Sequence, residues 1–190
     1  MDYEIRPPRP EEAPAWEKLR LVSWREAYSE TFNPHMFKVQ EEQLSARAQG
    51  FADWLASTDG TAQDVQAQLG QKRRALVAAR TDGESSMLTG QRADGRQASS
   101  DISPLLGIAF ASQMPTEPQR LEMLYLLPQA FGTGIAQALM NQILEPGPAE
   151  VEVLTANARA IRFYEKEGFS ISRTEEFAGR KSYIMTRKTL

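Results

Sequence analysis

Cysteine is absent from the 190-residue sequence, and histidine occurs only once, at His35. Without cysteine the chain has no thiol nucleophile, no disulfide and no thiolate metal ligand, which fits a reducing compartment. A single histidine argues against a histidine-rich metal centre and against a Ser-His-Asp triad. We therefore expect chemistry that uses neither a thiol nor a bound metal.

Long apolar runs and a surplus of positive charge are also absent, and we expect no export signal. No run of about 18 apolar residues occurs, so we expect no membrane span. Lys and Arg total 22 and Asp and Glu total 25, and the resulting net charge of −3 argues against binding to nucleic acid. The stretch from Met1 to Glu4 is acidic and unlike a signal peptide. These features together predict a cytoplasmic protein.

The patterning that is present indicates an α/β domain. Hydrophobic residues make up 41% of the chain, which at this length suffices for a core. Apolar segments typical of strands alternate with stretches whose apolar residues recur every three or four positions, as in helices. Predicted strands begin near residues 3, 74, 105, 120, 150, 169 and 182, and predicted helices begin near residues 11, 44, 65, 135 and 158. This order predicts helices layered on a mixed sheet.

A polar stretch at residues 81–103 separates two predicted strands and shows no apolar periodicity. Unstructured loops of this length inside a compact domain are either functional or disordered. The entropic cost of closing a loop grows slowly with its length, so a surface insertion is tolerated. We expect a single domain over residues 1–190 that carries a flexible insertion at 81–103.

The strongest local motif is a glycine turn, Gly132-Thr133-Gly134-Ile135-Ala136, between a predicted strand and a predicted helix. Small residues let a ligand approach the main chain, and the first N–H groups of a helix lack internal partners and attract anions. The turn therefore suits a diphosphate, although a tight strand-to-helix connection alone also explains the glycines. A Walker loop is ruled out because no Gly-Lys pair followed by Ser or Thr is present, and Gln137 breaks the dinucleotide fingerprint.

A second motif follows the next predicted strand and reads Asn157-Ala-Arg-Ala-Ile-Arg-Phe-Tyr-Glu-Lys-Glu-Gly-Phe169. Together with the glycine turn, it resembles the GNAT superfamily of N-acetyltransferases. The resemblance implies a mixed, mostly antiparallel central sheet with splayed parallel strands in its middle and helices on both faces. It also implies an enzyme that moves an acetyl group from acetyl-CoA to a primary amine by direct attack, with homodimers common. Phe131 departs from the family, which usually has Gln or Arg there.

The resemblance further implies which residues contact the coenzyme. In the family the glycine turn cradles the diphosphate, and a segment like that of Asn157 contacts the pantetheine arm and supplies a tyrosine near the sulfur. A main-chain N–H near Leu126 would stabilise the developing oxyanion. Taken alone, Asn157 is an ordinary helix N-cap, and its separate donor and acceptor groups allow both roles. The implied coenzyme contacts are Leu124, Tyr125, Leu126, Gly132, Thr133, Gly134, Ile135, Ala136, Gln137, Asn157 and Tyr164.

Acetyl transfer to an amine requires a neutral nucleophile and a proton for the departing thiolate. An alkylammonium with a pKa of ~10.4 is neutral in only about one molecule in 10³ to 10⁴ at pH 7, so a carboxylate base assists. In the family a glutamate on one of two neighbouring strands often serves, here Glu122 or Glu152, with Glu122 preferred. Tyr164 is the implied acid, since a thiol of pKa ~8.5 is not far from tyrosine at ~10. The alternatives are solvent-facing glutamates and a core tyrosine.

The acceptor side rests on two aromatic residues of the first predicted helix. Trp24 and Tyr28, with acidic residues nearby in the sequence, would favour a cationic amine. The same aromatics are explained as well by packing in the core. The expected partner is a small-molecule or protein amine. The alternative function is a non-catalytic module that binds or senses acyl-CoA on the same fold.

Overall fold

The computed structural model describes residues 2–57, 70–81 and 105–188. The short helix expected near residue 65 and the expected insertion, apart from residue 81, lie outside these ranges. The described residues form seven strands and five α-helices. The strands are β1 (Tyr3–Arg6), β2 (Lys72–Arg80), β3 (Leu105–Gln113), β4 (Gln119–Leu126), β5 (Ala149–Leu154), β6 (Ser170–Phe177) and β7 (Arg180–Arg187). The helices are α1 (Ala13–Tyr28), α2 (Pro34–Glu42), α3 (Leu44–Ser57), α4 (Ile135–Ile143) and α5 (Ala158–Lys166).

The strands form one sheet in the order β1-β2-β3-β4-β5-β7-β6. Every neighbouring pair is antiparallel except β4 and β5, which run parallel in the middle. Their pairing ends at Leu121 and Val151. Beyond these residues β4 continues to Leu126 and β5 to Leu154, but the two strands no longer pair with each other. They therefore separate. The expected mixed sheet with splayed parallel strands at its centre is confirmed.

Helices cover both faces of the sheet. Successive residues of a strand point to opposite faces, so two neighbouring residues show which helix lies on which face. Ala78 of β2 belongs to a buried cluster that includes Leu139 of α4. Its neighbour Val77 belongs to a second buried cluster that includes Trp16 of α1. Helices α4 and α1 therefore lie on opposite faces, as expected. None of the helices in the described ranges combines the length and apolar character that a membrane crossing needs.

Local sequence explains where α5 begins and ends beside the separated strands. The side-chain oxygen of Asn157 accepts a hydrogen bond from the N–H of Ala160 at 3.0 Å, which confirms the expected N-cap. At the other end Gly168 adopts a left-handed conformation with φ of +83°. The N–H of Phe169 then donates to the carbonyl of Tyr164 at 2.9 Å and closes the last turn. The helix is thus held in place at both ends by residues of the same motif.

Proline normally interrupts a helix, and no predicted helix begins near the Asn33-Pro34 dipeptide, so helix α2 is missing from the sequence-based prediction. The structure shows that this dipeptide starts a helix. The Asn33 side chain accepts a hydrogen bond from the N–H of His35 at 2.9 Å, and Pro34 occupies the first helical position, where no N–H is needed. Phe37 then packs on Trp24 of α1, with ring centroids 4.9 Å apart. The cap residue was the available signal.

Candidate active site

A cleft of about 400 Å³ opens where β4 and β5 separate. Its walls come from the end of α1, from both strands, from the glycine turn and from α5. Most of the residues expected at the site line this one cleft, although they come from five separate elements of the chain. They are Tyr28, Glu122, Leu124, Tyr125, Leu126, Gly132, Gly134, Ala136, Gln137, Glu152, Asn157 and Tyr164.

Three expected residues are not on the cleft wall. Ile135 is fully buried, and the hydroxyl of Thr133 turns back to donate to the carbonyl of Ala130 at 2.7 Å. Any contact with a ligand from these two would therefore come from the main chain. Trp24 stacks on Phe32 with ring centroids 5.2 Å apart, in a cluster that also contains Tyr28. Trp24 supports the wall from behind.

The glycine turn is open toward the cleft. Gly132 and Gly134 adopt left-handed conformations with φ of +74° and +85°, which glycine accepts without strain. A Cβ atom built on either residue would meet no other atom within 4 Å. Helix α4 starts directly after Gly134, so its first N–H groups lack partners within the helix. The turn thus has room for a phosphate group close to the main chain and has main-chain N–H groups that can donate to it.

The main chain of β4 also presents groups to the cleft. The N–H of Leu127 donates to the carbonyl of Leu106 on β3 at 2.9 Å. In an antiparallel pair these bonds alternate, so the N–H of Leu126 points away from β3 and toward the gap beside β5. The carbonyl of Leu126 already accepts from the hydroxyl of Ser23 at 3.0 Å. The register irregularity of this strand lies at Glu122, between Leu121 and Met123, and not near Leu126.

One arginine holds both candidate bases. Arg120 donates to Glu122 Oε2 at 3.3 Å, to Glu152 Oε2 at 3.0 Å and to Glu150 Oε1 at 2.8 Å. Burial lowers the pKa of Arg120, but the charges of the three glutamates outweigh this effect and raise the pKa above its ordinary value. Because Arg120 is directly opposite Glu150 in the parallel pair, this network sits at the point where the strands separate.

Each candidate base has a second, equivalent partner. Glu122 accepts a hydrogen bond from the hydroxyl of Ser112, and Glu152 accepts one from the hydroxyl of Ser182, both at 2.7 Å. Both glutamate side chains are partly exposed, 34% for Glu122 and 23% for Glu152, and both line the cleft. The two carboxylates therefore occupy corresponding positions on the two strands, and both lie on the cleft wall.

Three tyrosines surround the cleft: Tyr28 of α1, Tyr125 of β4 and Tyr164 of α5. Burial raises the pKa of all three, of Tyr125 to about 12 and of Tyr164 well above its ordinary range. At Tyr28 the amide of Asn157, which donates to the hydroxyl oxygen at 3.1 Å, and the charge of Arg159 oppose this rise. All three side chains are therefore neutral hydroxyls near pH 7 and can donate a proton or a hydrogen bond.

Arg159, the second residue of α5, lines the cleft but is not among the expected site residues. Its guanidinium carbon lies 3.9 Å from the ring centre of Phe131, the residue before the glycine turn. A salt bridge of 3.7 Å joins it to Glu26 of α1. The arginine was visible in the Asn157 motif, but no spacing rule connects it with an aromatic residue in an earlier turn. Only the packing of α5 on the turn brings the two together.

Known proteins resemble this chain in sequence and in fold. A family model described as an acetyltransferase (GNAT) domain matches residues 101–171. Uncharacterized N-acetyltransferases of Mycobacterium tuberculosis and Mycobacterium bovis are each 36% identical over 118 residues, which cover 57% of this chain and 70% of the relative. The crystal structure of PaiA N-acetyltransferase from Thermoplasma acidophilum, in complex with coenzyme A, has a TM-score of 0.64 at 20% identity over 99% of both chains. Ard1 from Thermoplasma volcanium has a TM-score of 0.58 at 16% identity, over 100% of this chain and 99% of that chain. The two structures support the fold.

Proposed function

The chain belongs to the GNAT family of N-acetyltransferases and is an acyltransferase, and from that premise we propose that it transfers an acetyl group from acetyl-CoA to a primary amine by direct attack. In this reaction the amine nitrogen bonds to the acetyl carbon and the carbon–sulfur bond breaks. An acceptor that arrives as an ammonium gives up two protons, one before the attack and one as the amide forms, and the thiolate that departs takes one up. The chain must therefore bind an anionic coenzyme and supply groups that accept and donate these protons.

One observation carries the proposal: a single cleft joins an open glycine turn to carboxylates and tyrosine hydroxyls. Gly132 and Gly134 lie on its wall, and so do Glu122, Glu152 and Tyr164. A turn at a helix N-terminus suits the diphosphate of a coenzyme. Carboxylates and hydroxyls are the side chains that serve as general bases and acids. A protein that only bound a nucleotide would need the first set without the second.

We assign the base to Glu122 or Glu152. Arg120 fixes the direction of both side chains, since it donates to one oxygen of each. The other oxygen of each accepts from a serine hydroxyl. A carboxylate held in this way can take the proton of the incoming ammonium, directly or through a water molecule. Loss of this proton to a carboxylate of β4 or β5 produces the neutral amine next to the thioester.

We assign oxyanion stabilisation to the N–H of Leu126 and protonation of the thiolate to Tyr164. A main-chain donor of this kind typically contributes about 3 kcal/mol to the stability of the transition state. The raised pKa keeps Tyr164 protonated at neutral pH, but it also makes this tyrosine a weaker acid than its ordinary value suggests. Tyr28 is a second hydroxyl on the same wall; burial raises its pKa, and the hydrogen bond from Asn157 opposes that rise.

The test of the proposed function separates binding from turnover. Calorimetry with CoA and acetyl-CoA measures binding, and a thiol reagent measures the CoA released when acetyl-CoA is mixed with an amine. The amines should include a polyamine, an aminoglycoside, a free amino acid and a peptide with an unblocked N-terminus. We expect saturable binding and thiol release with at least one of them. Binding without thiol release for every amine would favour the binding module. If ATP or NAD protected the protein against thermal unfolding as well as acetyl-CoA does, specificity for the coenzyme would be refuted.

A further inference from the structure

The charge of the cleft wall is the starting point. Among the described residues that line the cleft, Glu122, Glu152 and Glu167 are acidic, and Arg159 is the one basic residue. A coenzyme that carries a diphosphate and a 3′-phosphate is strongly anionic, and carboxylates repel it. The N-terminus of α4 offers roughly half a positive charge, which does not balance several phosphate charges. On the part of the cleft wall that the structure describes, Arg159 is the one side chain with a full positive charge.

The position of Arg159 is set by the aromatic residue that precedes the glycine turn. Its guanidinium carbon lies 3.9 Å from the ring centre of Phe131, which directly precedes Gly132. A guanidinium that rests on an aromatic ring uses its flat face, so the N–H donors on its edge stay available to a planar pair of oxygens. The salt bridge of 3.7 Å to Glu26 joins side chains that are 55% and 37% exposed. Such a surface pair is weak and competes poorly with a phosphate.

We propose that Arg159, held in place by Phe131, binds the diphosphate of the coenzyme at the glycine turn. The inference rests on the proposed use of acetyl-CoA. The main-chain donors at the start of α4 and the guanidinium at the start of α5 line the same cleft. The turn supplies hydrogen bonds, and the arginine adds the full charge and a bidentate contact. Phe131 acts through Arg159 and is a positioning residue.

The main test compares Arg159→Gln with Arg162→Gln. Arg162 lies on the same helix, is exposed and is not on the cleft wall, so its variant makes the same change in net charge. By calorimetry we expect Arg159→Gln to weaken CoA binding about 10- to 100-fold, the effect of losing a charge-assisted contact. Arg162→Gln should change the Kd less than about twofold, as expected for an exposed charge that does not line the cleft and is screened by salt. Equal effects of the two variants would overturn the proposal.

Phe131→Leu tests the positioning role. This variant keeps the charge of Arg159 but removes the ring beneath it. We expect CoA binding about two- to fivefold weaker, which corresponds to the loss of one exposed cation–π contact. In the double variant Phe131→Leu/Arg159→Gln the leucine should add nothing further. A fully additive loss would show that Phe131 does not act through Arg159.

Three ligands distinguish which phosphate is bound. The loss of affinity caused by Arg159→Gln should be the same for CoA and for 3′-dephospho-CoA. It should vanish for S-acetylpantetheine, which has no phosphate. If 3′-dephospho-CoA showed no loss of affinity, the proposal would be overturned in favour of a 3′-phosphate contact. The double variant Glu26→Gln/Arg159→Gln should show the same loss of affinity for CoA as Arg159→Gln. Recovery of binding there would mean that unpaired Glu26, and not the missing arginine, weakens the complex.

The failure of this inference differs from the failure of the proposed function. If the wild-type protein does not bind CoA, the proposed function itself fails. If the wild-type protein binds and Arg159→Gln binds equally well, only the role of Arg159 is refuted. Circular dichroism and urea unfolding of each variant show whether a weak binder is folded. A folded Arg159→Gln with the expected loss supports the contact.

Discussion

The side-chain amide of Asn157 donates a hydrogen bond to the hydroxyl oxygen of Tyr28 across 3.1 Å. The other end of the same amide caps α5, where the N–H of Ala160 donates to it at 3.0 Å. One side chain therefore joins α5 to α1, two helices that contribute to the cleft wall. Because the Tyr28 oxygen accepts this bond, its own proton is available to a second acceptor. Asn157 thus caps α5 and holds the hydroxyl of Tyr28, which are two separable roles.

Substitution of Asn157 separates these two roles. Asn157→Ala removes the cap and the bond to Tyr28, and we expect it to lower the free energy of unfolding by about 1–3 kcal/mol. Asn157→Asp cannot donate a hydrogen bond to Tyr28, but it keeps a cap acceptor at the helix N-terminus. Because the cap is retained, the free energy of unfolding should stay within about 1 kcal/mol of the wild type. Urea unfolding and the rate of thiol release measure the two effects. An aspartate variant as unstable as the alanine variant would show that the cap is not the stabilising contact.

The proton donor is tested by Tyr164→Phe and Tyr28→Phe. If Tyr164 protonates the thiolate, its phenylalanine variant should lose about 10- to 100-fold in turnover, within the lower range of general acid catalysis, with CoA affinity nearly unchanged. Tyr28→Phe should lose less. Tyr183→Phe, away from the cleft wall, serves as control. Steady-state kinetics with calorimetry give both quantities. Full turnover in Tyr164→Phe with a large loss in Tyr28→Phe would move the acid role to Tyr28.

The base is tested by glutamine variants of the three glutamates that Arg120 binds. Glu122→Gln and Glu152→Gln remove a carboxylate from the cleft wall, and Glu150→Gln removes one that bonds to Arg120 but does not line the cleft. We expect the variant that lacks the base to lose about 10²-fold or more in kcat/KM at pH 7. The deficit should shrink as the pH approaches the amine pKa of ~10.4, where the acceptor is neutral without help. An equal loss in Glu150→Gln would assign the effect to Arg120 instead.

The two local motifs of the site could be predicted from the sequence, whereas the contacts between them could not. The glycine turn and the Asn157 segment each have their own spacing, and both lie on the cleft as expected. The Arg120 network depends on the register that places Arg120 opposite Glu150 on a strand about 30 positions later. No local pattern specifies that register. The same holds for Phe131 and Arg159, which meet only because α5 packs on the turn.

At the level of the fold, continuous apolar runs predicted the central strands, because helices cover both faces of these strands. Val77 and Ala78 of β2, for example, are each fully buried, one against each layer of helices. Helix α2 has a weaker signal, since it is nine residues long and buries only Phe37. For such a short helix the cap at Asn33 carries more information than the apolar pattern.

The glycine turn is tested by Gly134→Ala with Gly179→Ala as the matched control. Both glycines have left-handed φ values, +85° and +73°, and at both a Cβ atom would meet nothing within 4 Å. Each alanine should therefore cost about 1–2 kcal/mol in backbone strain, measured by urea unfolding. Only Gly134→Ala adds a methyl group at the cleft wall, so only this variant should weaken CoA binding, by about tenfold or more. Unchanged binding in Gly134→Ala would mean that the turn is merely structural.

Tyr125 makes the stability of the fold sensitive to alkaline pH. Burial raises its pKa to about 12, whereas an unfolded tyrosine titrates near ~10. Between these two pH values the unfolded chain binds fewer protons than the folded chain, so the free energy of unfolding falls as the pH rises, by up to about 3 kcal/mol for this group. Below pH ~10 the contribution is fully present. Tyr125→Phe should therefore lose less stability than the wild type between pH 10 and 12, which urea unfolding at a series of pH values measures. Parallel curves for the two proteins would show that Tyr125 titrates alike in the folded and unfolded states.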